Sequence, residues 1–325
     1  VLAIVCPGQG SQTPGFLSPW LEVPGVAEHL AELSSIAGLD LAAHGTVSDE
    51  ETIKDTAVAQ PLIVAAGLVA ARVLTAGTPL DLSTVVAGHS VGEITASAVA
   101  GARSEADAIT FVRERARAMA PAAARTETGM SAVRGGDPAE VLAAIEAAGL
   151  TPANANGGGQ VVAAGTLPQL QALADNPPAK ARIIPLKVAG AFHTVHMEPA
   201  IEALEALRPQ LAPASPVLTL LSYFDGEPVP GGEENLDSLI AQVSRPVRWD
   251  LCMEEMLSVG ITGILELPPA GTLTGLAKRG MEGVATMALE TPDDLDAARA
   301  YIAEHSSIMP AASNAITATE PGEAN

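Results

Sequence analysis

The most constraining stretch of the chain is Thr84-Val85-Val86-Ala87, an apolar run that breaks at Gly88 and gives way to the small-residue helical pattern Ile94–Ala100. The run reads as a buried strand. Only Gly88-His89-Ser90-Val91-Gly92 joins it to the helix. A turn that sharp needs glycines where a Cβ would collide. It also lifts the central Ser90 hydroxyl clear of the backbone and aims the first N–H groups of the next helix at whatever binds there. Gly-x-Ser-x-Gly by itself occurs by chance and can be a plain glycine-rich turn. Between a buried strand and a helix it is a nucleophile elbow, and Ser90 is the candidate nucleophile.

The rest of the chain fits around that unit. Leu2-Ala3-Ile4-Val5-Cys6, stopped by Pro7-Gly8, reads as a buried central strand. Helical spacing runs through Val26–Ala37, and a longer helix is expected over Pro61–Leu74 with its proline in the first turn. Alternating strands and helices imply a parallel sheet covered on both faces. From Gly129 the rhythm changes. Strands are expected at Met130–Val133, Thr151–Asn154, Gln160–Ala164 and Arg182–Leu186, with helices at Pro138–Ala148 and Pro168–Ala174. That order is βαββαβ, the ferredoxin-like arrangement. Helix and strand patterns then resume, including a strand at Leu218–Leu221 and a helix at Leu236–Val243. The expected fold is therefore α/β: a large α/β-hydrolase-like lobe with a parallel central sheet, from residues 1–126 and 188–305, and an inserted ferredoxin-like subdomain at 127–187. Residues 306–325, rich in Ala, Ser, Thr, Glu and Pro without periodicity, are expected to be a disordered tail.

Composition removes several function classes. A net charge of −21 and 2% aromatic residues argue against a nucleic-acid surface, and no Lys/Arg run opposes that field. The two cysteines, Cys6 and Cys252, lie in apolar surroundings and have neither disulfide nor zinc spacing, so no metal site is expected. Leu2–Cys6 runs into Pro-Gly without a basic start, which is not a signal peptide, and the apolar stretch Leu62–Ala71 is too short to span a bilayer. A cytoplasmic protein without a membrane partner is expected.

A nucleophilic serine needs a base. His29 and His44 sit in polar segments, His89 should point away from its neighbour's hydroxyl, and His305 abuts the tail. His193 and His196 remain, in Val188-Ala189-Gly190-Ala191-Phe192-His193-Thr194-Val195-His196. Composition alone leaves the choice between them open.

Three motifs in order, Pro7-Gly8-Gln9-Gly10-Ser11-Gln12, Gly88-His89-Ser90-Val91-Gly92-Glu93 and Gly190-Ala191-Phe192-His193, resemble those of the malonyl-CoA:acyl-carrier-protein transacylases, the family that also supplies the acyltransferase domains of fatty-acid and polyketide synthases. The resemblance runs to about Leu295. It implies that Ser90 carries the acyl group and that His193 is its base, with His196 structural. It implies backbone donors from Gln9 and Val91 for an oxyanion, and a carbonyl near Gln242 that orients the histidine in place of an aspartate. Arg115, four residues before Met119, would grip the malonyl carboxylate. Gln60, Asn154 and Asn156 match polar residues of the acyl pocket, although a helix-cap neighbour and turn residues would look the same. Phe192 would crowd an α-methyl branch. Implied partners are malonyl-CoA and an acyl carrier protein, without a further cofactor, and a monomer is expected. Lys187, Arg245, Lys278 and Arg279 are candidates for meeting an acidic carrier. One departure stands out: where relatives carry Ser-Asn after the strand Leu218–Leu221, this chain has Ser222-Tyr223-Phe224.

Two rivals are weaker. A serine hydrolase of α/β-hydrolase type needs the order Ser, acid, His, which forces Ser90, Asp293 and His305, with the base beside the tail. A dinucleotide loop at Gly8-Gln9-Gly10 fails because Thr13 stands where the third glycine is needed.

Overall fold

The computed structural model describes residues 1–306, so the expectation for the tail lies outside the described residues except at Ser306. Ten strands run in chain order: β1 Leu2–Cys6, β2 Val85–Gly88, β3 Thr128–Gly135, β4 Thr151–Gly157, β5 Gln160–Thr166, β6 Ala181–Pro185, β7 Thr219–Leu220, β8 Val247–Arg248, β9 Gly263–Glu266 and β10 Ala285–Ala288. They form two sheets. The first has the order β10-β9-β1-β2-β7 with every pairing parallel. β1 lies at its centre with all five residues buried, as a continuous apolar run requires.

The helix Thr56–Thr75 is the spine of the large core, with Leu62, Val64, Ala65 and Ala70 fully buried. It begins five residues earlier than the sequence pattern suggested. Asp55 caps it by accepting from the Ala57 amide, so Pro61 sits inside the helix and not in its first turn. This helix is long and apolar enough to cross a membrane by composition, but 72% of its most apolar window is buried within the fold. It is a core helix. Cys6 and Cys252 are free and buried.

Residues 128–185 fold as strand, helix, two strands, helix and strand, with helices Pro138–Ala147 and Leu167–Asp175. β6, β3, β5 and β4 pair antiparallel in that spatial order, the ferredoxin-like topology. A fifth strand was not anticipated. β8 adds to β4 in parallel, Asn154 opposite Val247 and Ala155 opposite Arg248, and so ties the small sheet to the segment that follows Gln242.

Two elements are shorter than their sequence patterns. The strand expected over Leu218–Leu221 is Thr219–Leu220; Leu221 still donates to Val86 O at 2.9 Å and bridges Pro228 on its other side. The helix expected over Leu236–Val243 spans Gly232–Ala241 and closes in a 3-10 turn, Gln242–Ser244. Pro246 explains the stop, since it forces Arg245 into extended backbone at φ −114°, ψ 146°.

Glu266 at the end of β9 is fully buried, and its carboxylate accepts from the amides of Gly271, Leu273 and Thr274 at 2.8–2.9 Å. It thereby caps the helix Thr272–Gly280 and fixes the loop that meets Ser11 through Thr272 at 3.1 Å. Glu266→Gln would turn an amide N–H₂ toward one of those donors. The expected loss is about 2–3 kcal/mol of unfolding free energy, measured by urea denaturation.

Candidate active site

β2 ends at Gly88, and the chain turns at Ser90 with φ +56°, in the left-handed region that a non-glycine residue enters only when its surroundings compel it. The compulsion is steric. A Cβ at Gly88 would strike the backbone of Gly92 and Glu93, and one at Gly92 would strike the Cys6 and Pro7 carbonyls. The elbow is thus pressed against the end of β1, and the helix Gly92–Val99 leaves from it directly.

Ser90 Oγ lies 2.8 Å from His193 Nε2. His193 is also held at positive φ, +59°, by two adjacent carbonyls: its amide donates to Val243 O at 3.1 Å, and Nδ1 meets Gln242 O at 2.9 Å. A carbonyl can only accept, so Nδ1 carries the proton and Nε2 presents its lone pair to the serine. The Tyr223 hydroxyl donates to the same Gln242 oxygen at 3.0 Å and stands 3.3 Å from Nδ1, with the two rings edge to face. Tyr223 is therefore built into the support of the histidine.

Arg115 lies on the helix Glu105–Ala124 and is 0% exposed. Its Nη2 donates to Gln242 Oε1 at 3.0 Å and reaches Ser90 Oγ at 3.5 Å. Among the described residues, its Nε and Nη1 have no hydrogen-bond partner. Burial pulls the guanidinium down to about 10, with Tyr223 and Glu93 acting in the opposite sense, so it remains charged at neutral pH. Burial, and then the Arg115 charge, push His193 down to about 3, which keeps the imidazole neutral and able to take a proton.

The other candidate residues fall around this group. Gln9 and Gln60 meet at 3.4 Å, Gln9 donates to Thr56 at 3.2 Å, and Gln60 reaches Met119 Sδ at 3.6 Å. Among the described residues the amides of Gln9 and Val91 donate to no protein acceptor. A cleft of about 440 Å³ passes Gly8, Gln9, His89, Asn154, Asn156 and Arg279. Asn156 accepts from His89 Nε2 at 2.8 Å, which turns His89 away from the serine, while Asn154 Oδ1 is buried without a partner among the described residues. Phe192 packs into the core cluster that also holds Met119 and Val91. His196 lies in the 3-10 turn Val195–Ala200, its backbone amide donating to the capping hydroxyl of Thr194 at 3.2 Å.

His305 bonds Thr262 beside the first residue of β9, at the opposite end of the parallel sheet from Ser90, which excludes the order Ser90, Asp293, His305. Among the described residues no group of three or more His, Cys, Asp or Glu side chains could hold a metal ion.

Glu93 was missed as a site residue. It stands in the first turn after the elbow, 0% exposed, and its Oε2 accepts from Gln242 Nε2 at 3.2 Å. Its signals in the sequence are its place at the end of the Gly88–Glu93 motif and an acidic residue opening a helix of small residues.

The model of the acyl transferase domain family matches residues 3–301. The malonyl CoA-acyl carrier protein transacylase of Mycobacterium tuberculosis is 51% identical over 297 residues, 91% of this chain and 98% of the relative. The chain belongs to the malonyl CoA-acyl carrier protein transacylases. The crystal structure of the acyltransferase MCAT from the same bacterium superposes with a TM-score of 0.87 at 50% identity, covering 92% of this chain and 99% of that one. A malonyl-transacylase solved in complex with its type II PKS acyl-carrier protein, PlMCAT with AntF, gives 0.85 at 29% identity over 92% and 99% of the two chains.

The neutral histidine can be observed directly. With ¹⁵N-labelled histidine, His193 of this acyltransferase should keep an unprotonated Nε2 down to pH 5, where an ordinary histidine is charged. Replacing Arg115 by Gln removes a like charge, so the pKa of His193 should rise toward its usual value.

Proposed function

We propose that this acyltransferase moves a malonyl group from malonyl-CoA to the phosphopantetheine thiol of an acyl carrier protein through an ester on Ser90, supplying extender units for fatty-acid synthesis. The observation that carries this reading is the buried Arg115 guanidinium. It stands 3.5 Å from Ser90 Oγ with two nitrogens unpartnered. A desolvated cation with free donors beside a nucleophile suits an acyl group that ends in a carboxylate.

The steps follow from the geometry. His193 Nε2 takes the Ser90 proton as Oγ attacks the thioester carbonyl, while Nδ1–H stays on the Gln242 oxygen. The carbonyl oxygen becomes an oxyanion, and the amides of Gln9 and Val91 are the donors assigned to it; removing one such donor costs about 10²–10³ in rate. As the C–S bond breaks, the imidazolium returns its proton to the leaving CoA sulfur, and malonyl remains on Ser90. The carrier thiol then attacks the ester, His193 takes its proton, and the proton passes to Ser90 Oγ as the new thioester leaves. This is ping-pong transfer.

Acetyl-CoA would leave Arg115 buried without an anion, at a cost of roughly 3–5 kcal/mol. Phe192 would disfavour a methyl branch on the donor. Candidate contacts for the carrier flank the cleft: Arg279 lines it beside Gly8 and Gln9, and Lys187 is exposed at a second hollow of about 820 Å³ with Lys54. Arg245 lies 5.0 Å over the Phe224 ring, and Lys278 is exposed next to Arg279. A polyketide carrier is the second reading, supported by the likeness to PlMCAT, whose partner is such a protein.

Two measurements test the proposal. Incubation with malonyl-CoA should leave a malonyl adduct on the Ser90 peptide by mass spectrometry, absent in Ser90→Ala; an adduct on another residue or rapid release to water would refute the assignment. Arg115→Ala should lose most of the preference for malonyl-CoA over acetyl-CoA in kcat/KM. An unchanged preference would remove Arg115 from the reading.

A further inference from the structure

Glu93 is a buried carboxyl that the steps above do not use. Its carboxyl accepts from the Gln242 side chain and also lies against the Tyr223 backbone. The Gln242 side-chain amide lies between the two acid–base groups, with Oε1 accepting from Arg115 Nη2 at 3.0 Å and Nε2 donating to Glu93 Oε2 at 3.2 Å. All three residues are at most 1% exposed, so no water stands ready to replace a misplaced partner. An amide has two ends of similar shape and opposite hydrogen-bonding sense. Were it turned over, its N–H₂ would face the guanidinium, donor against donor, and its oxygen would face an acceptor at Glu93.

We infer that Glu93 is a specificity-determining positioning residue: by accepting from Gln242 Nε2 it fixes the sense of that amide, which holds Arg115 Nη2 and leaves Nε and Nη1 free for the acyl carboxylate. The inference rests on Arg115 being the carboxylate receptor. It assigns the two halves of Gln242 to different tasks. The backbone oxygen supports His193, and the side chain supports Arg115.

The requirement is for an acceptor at position 93, not for a negative charge. Burial raises the Glu93 carboxyl to about 8, so at neutral pH it is largely the acid form, in which a carbonyl oxygen can still face Gln242. Arg103, whose Nη2 donates to Asn235 at 2.6 Å, supplies a further nearby positive charge, which acts to lower that value.

The test compares kcat/KM for malonyl-CoA with kcat/KM for acetyl-CoA, because only the former uses Arg115. Glu93→Met keeps the length of the side chain and removes the acceptor, and the malonyl-to-acetyl ratio should fall about tenfold, mainly through a higher KM for malonyl-CoA. Glu93→Gln retains an acceptor oxygen and should keep most of the ratio. Gln242→Met leaves the backbone carbonyl in place and should lower the ratio to the same extent, with no further fall in the double variant with Glu93→Met. A Glu93→Met enzyme with an undiminished ratio, or one that slows equally on both esters, overturns the proposal. If Glu93→Met does not fold, Gln242→Met decides alone, and an unchanged ratio there overturns it. Arg115→Ala is the separate control: should that variant keep the ratio, the receptor assignment itself fails, whatever Glu93 does.

Discussion

A helix that ends at Ala241 leaves the carbonyl of Gln242 outside the regular i to i−4 ladder, and the working geometry of the cleft depends on that one oxygen. It accepts from His193 Nδ1, from the Tyr223 hydroxyl and from the Arg245 amide. A carboxylate in the same place would stabilise an imidazolium in the resting enzyme. A neutral carbonyl does so less, and with burial first and the Arg115 charge second opposing protonation, the imidazole stays unprotonated far below its usual range. Pro246 creates this arrangement by ending the helix, and β8 then anchors the following residues to the small sheet.

Two strained residues meet across the cleft. Ser90 and His193 both hold positive φ, a conformation that costs on the order of 1–3 kcal/mol for each non-glycine residue. Neither can relax, for different reasons. The elbow is wedged by Gly88 and Gly92 against the end of β1, whereas His193 is pinned through its own amide to Val243. The burial of β1, β2 and the helix Thr56–Thr75 in one core supplies the stability that offsets this strain. Placement of the hydroxyl and the imidazole within hydrogen-bond reach is thus a property of backbone packing more than of side-chain rotamers.

The parts legible in the sequence are those with local causes. β1 and β2 were visible because a short apolar run bounded by glycine or proline has few alternatives. The helix Val26–Ala37 was visible because its period is clear. Errors arose where two local rules competed. Pro61 fits the first turn of a helix, but the cap at Asp55 starts the helix five residues earlier and leaves the proline inside it. Ser90, His193 and Arg115 could be named from their motifs, but their convergence is tertiary. Glu93 and Tyr223 show the limit most sharply. An acidic residue in the first turn of a helix reads as a favourable dipole contact at the surface. Only the packing of that helix beneath Gln242 makes it a buried hydrogen-bond acceptor. Likewise, a tyrosine after a strand reads as a core residue until its hydroxyl is seen on the Gln242 oxygen.

In the proposed reaction, the charges beneath the serine couple the choice of donor to the reactivity of the base. Arg115, Arg103 and Glu93 are all nearly or fully buried, a combination that would be costly if it served stability alone. Burial lowers both arginines to about 10 and raises Glu93 to about 8, so near neutral pH the cluster carries an excess of positive charge. In the proposed reaction an incoming carboxylate supplies the missing anion and finds donors already aimed, without reorganising the protein. Burial, and then the charge of Arg115, keep His193 neutral. Once the carboxylate offsets that charge, a developing imidazolium is opposed less. If Arg115 is the proposed carboxylate receptor, the group that selects the donor also eases proton transfer when the right donor is bound, and an acyl group without an acid leaves the base under the full opposing charge.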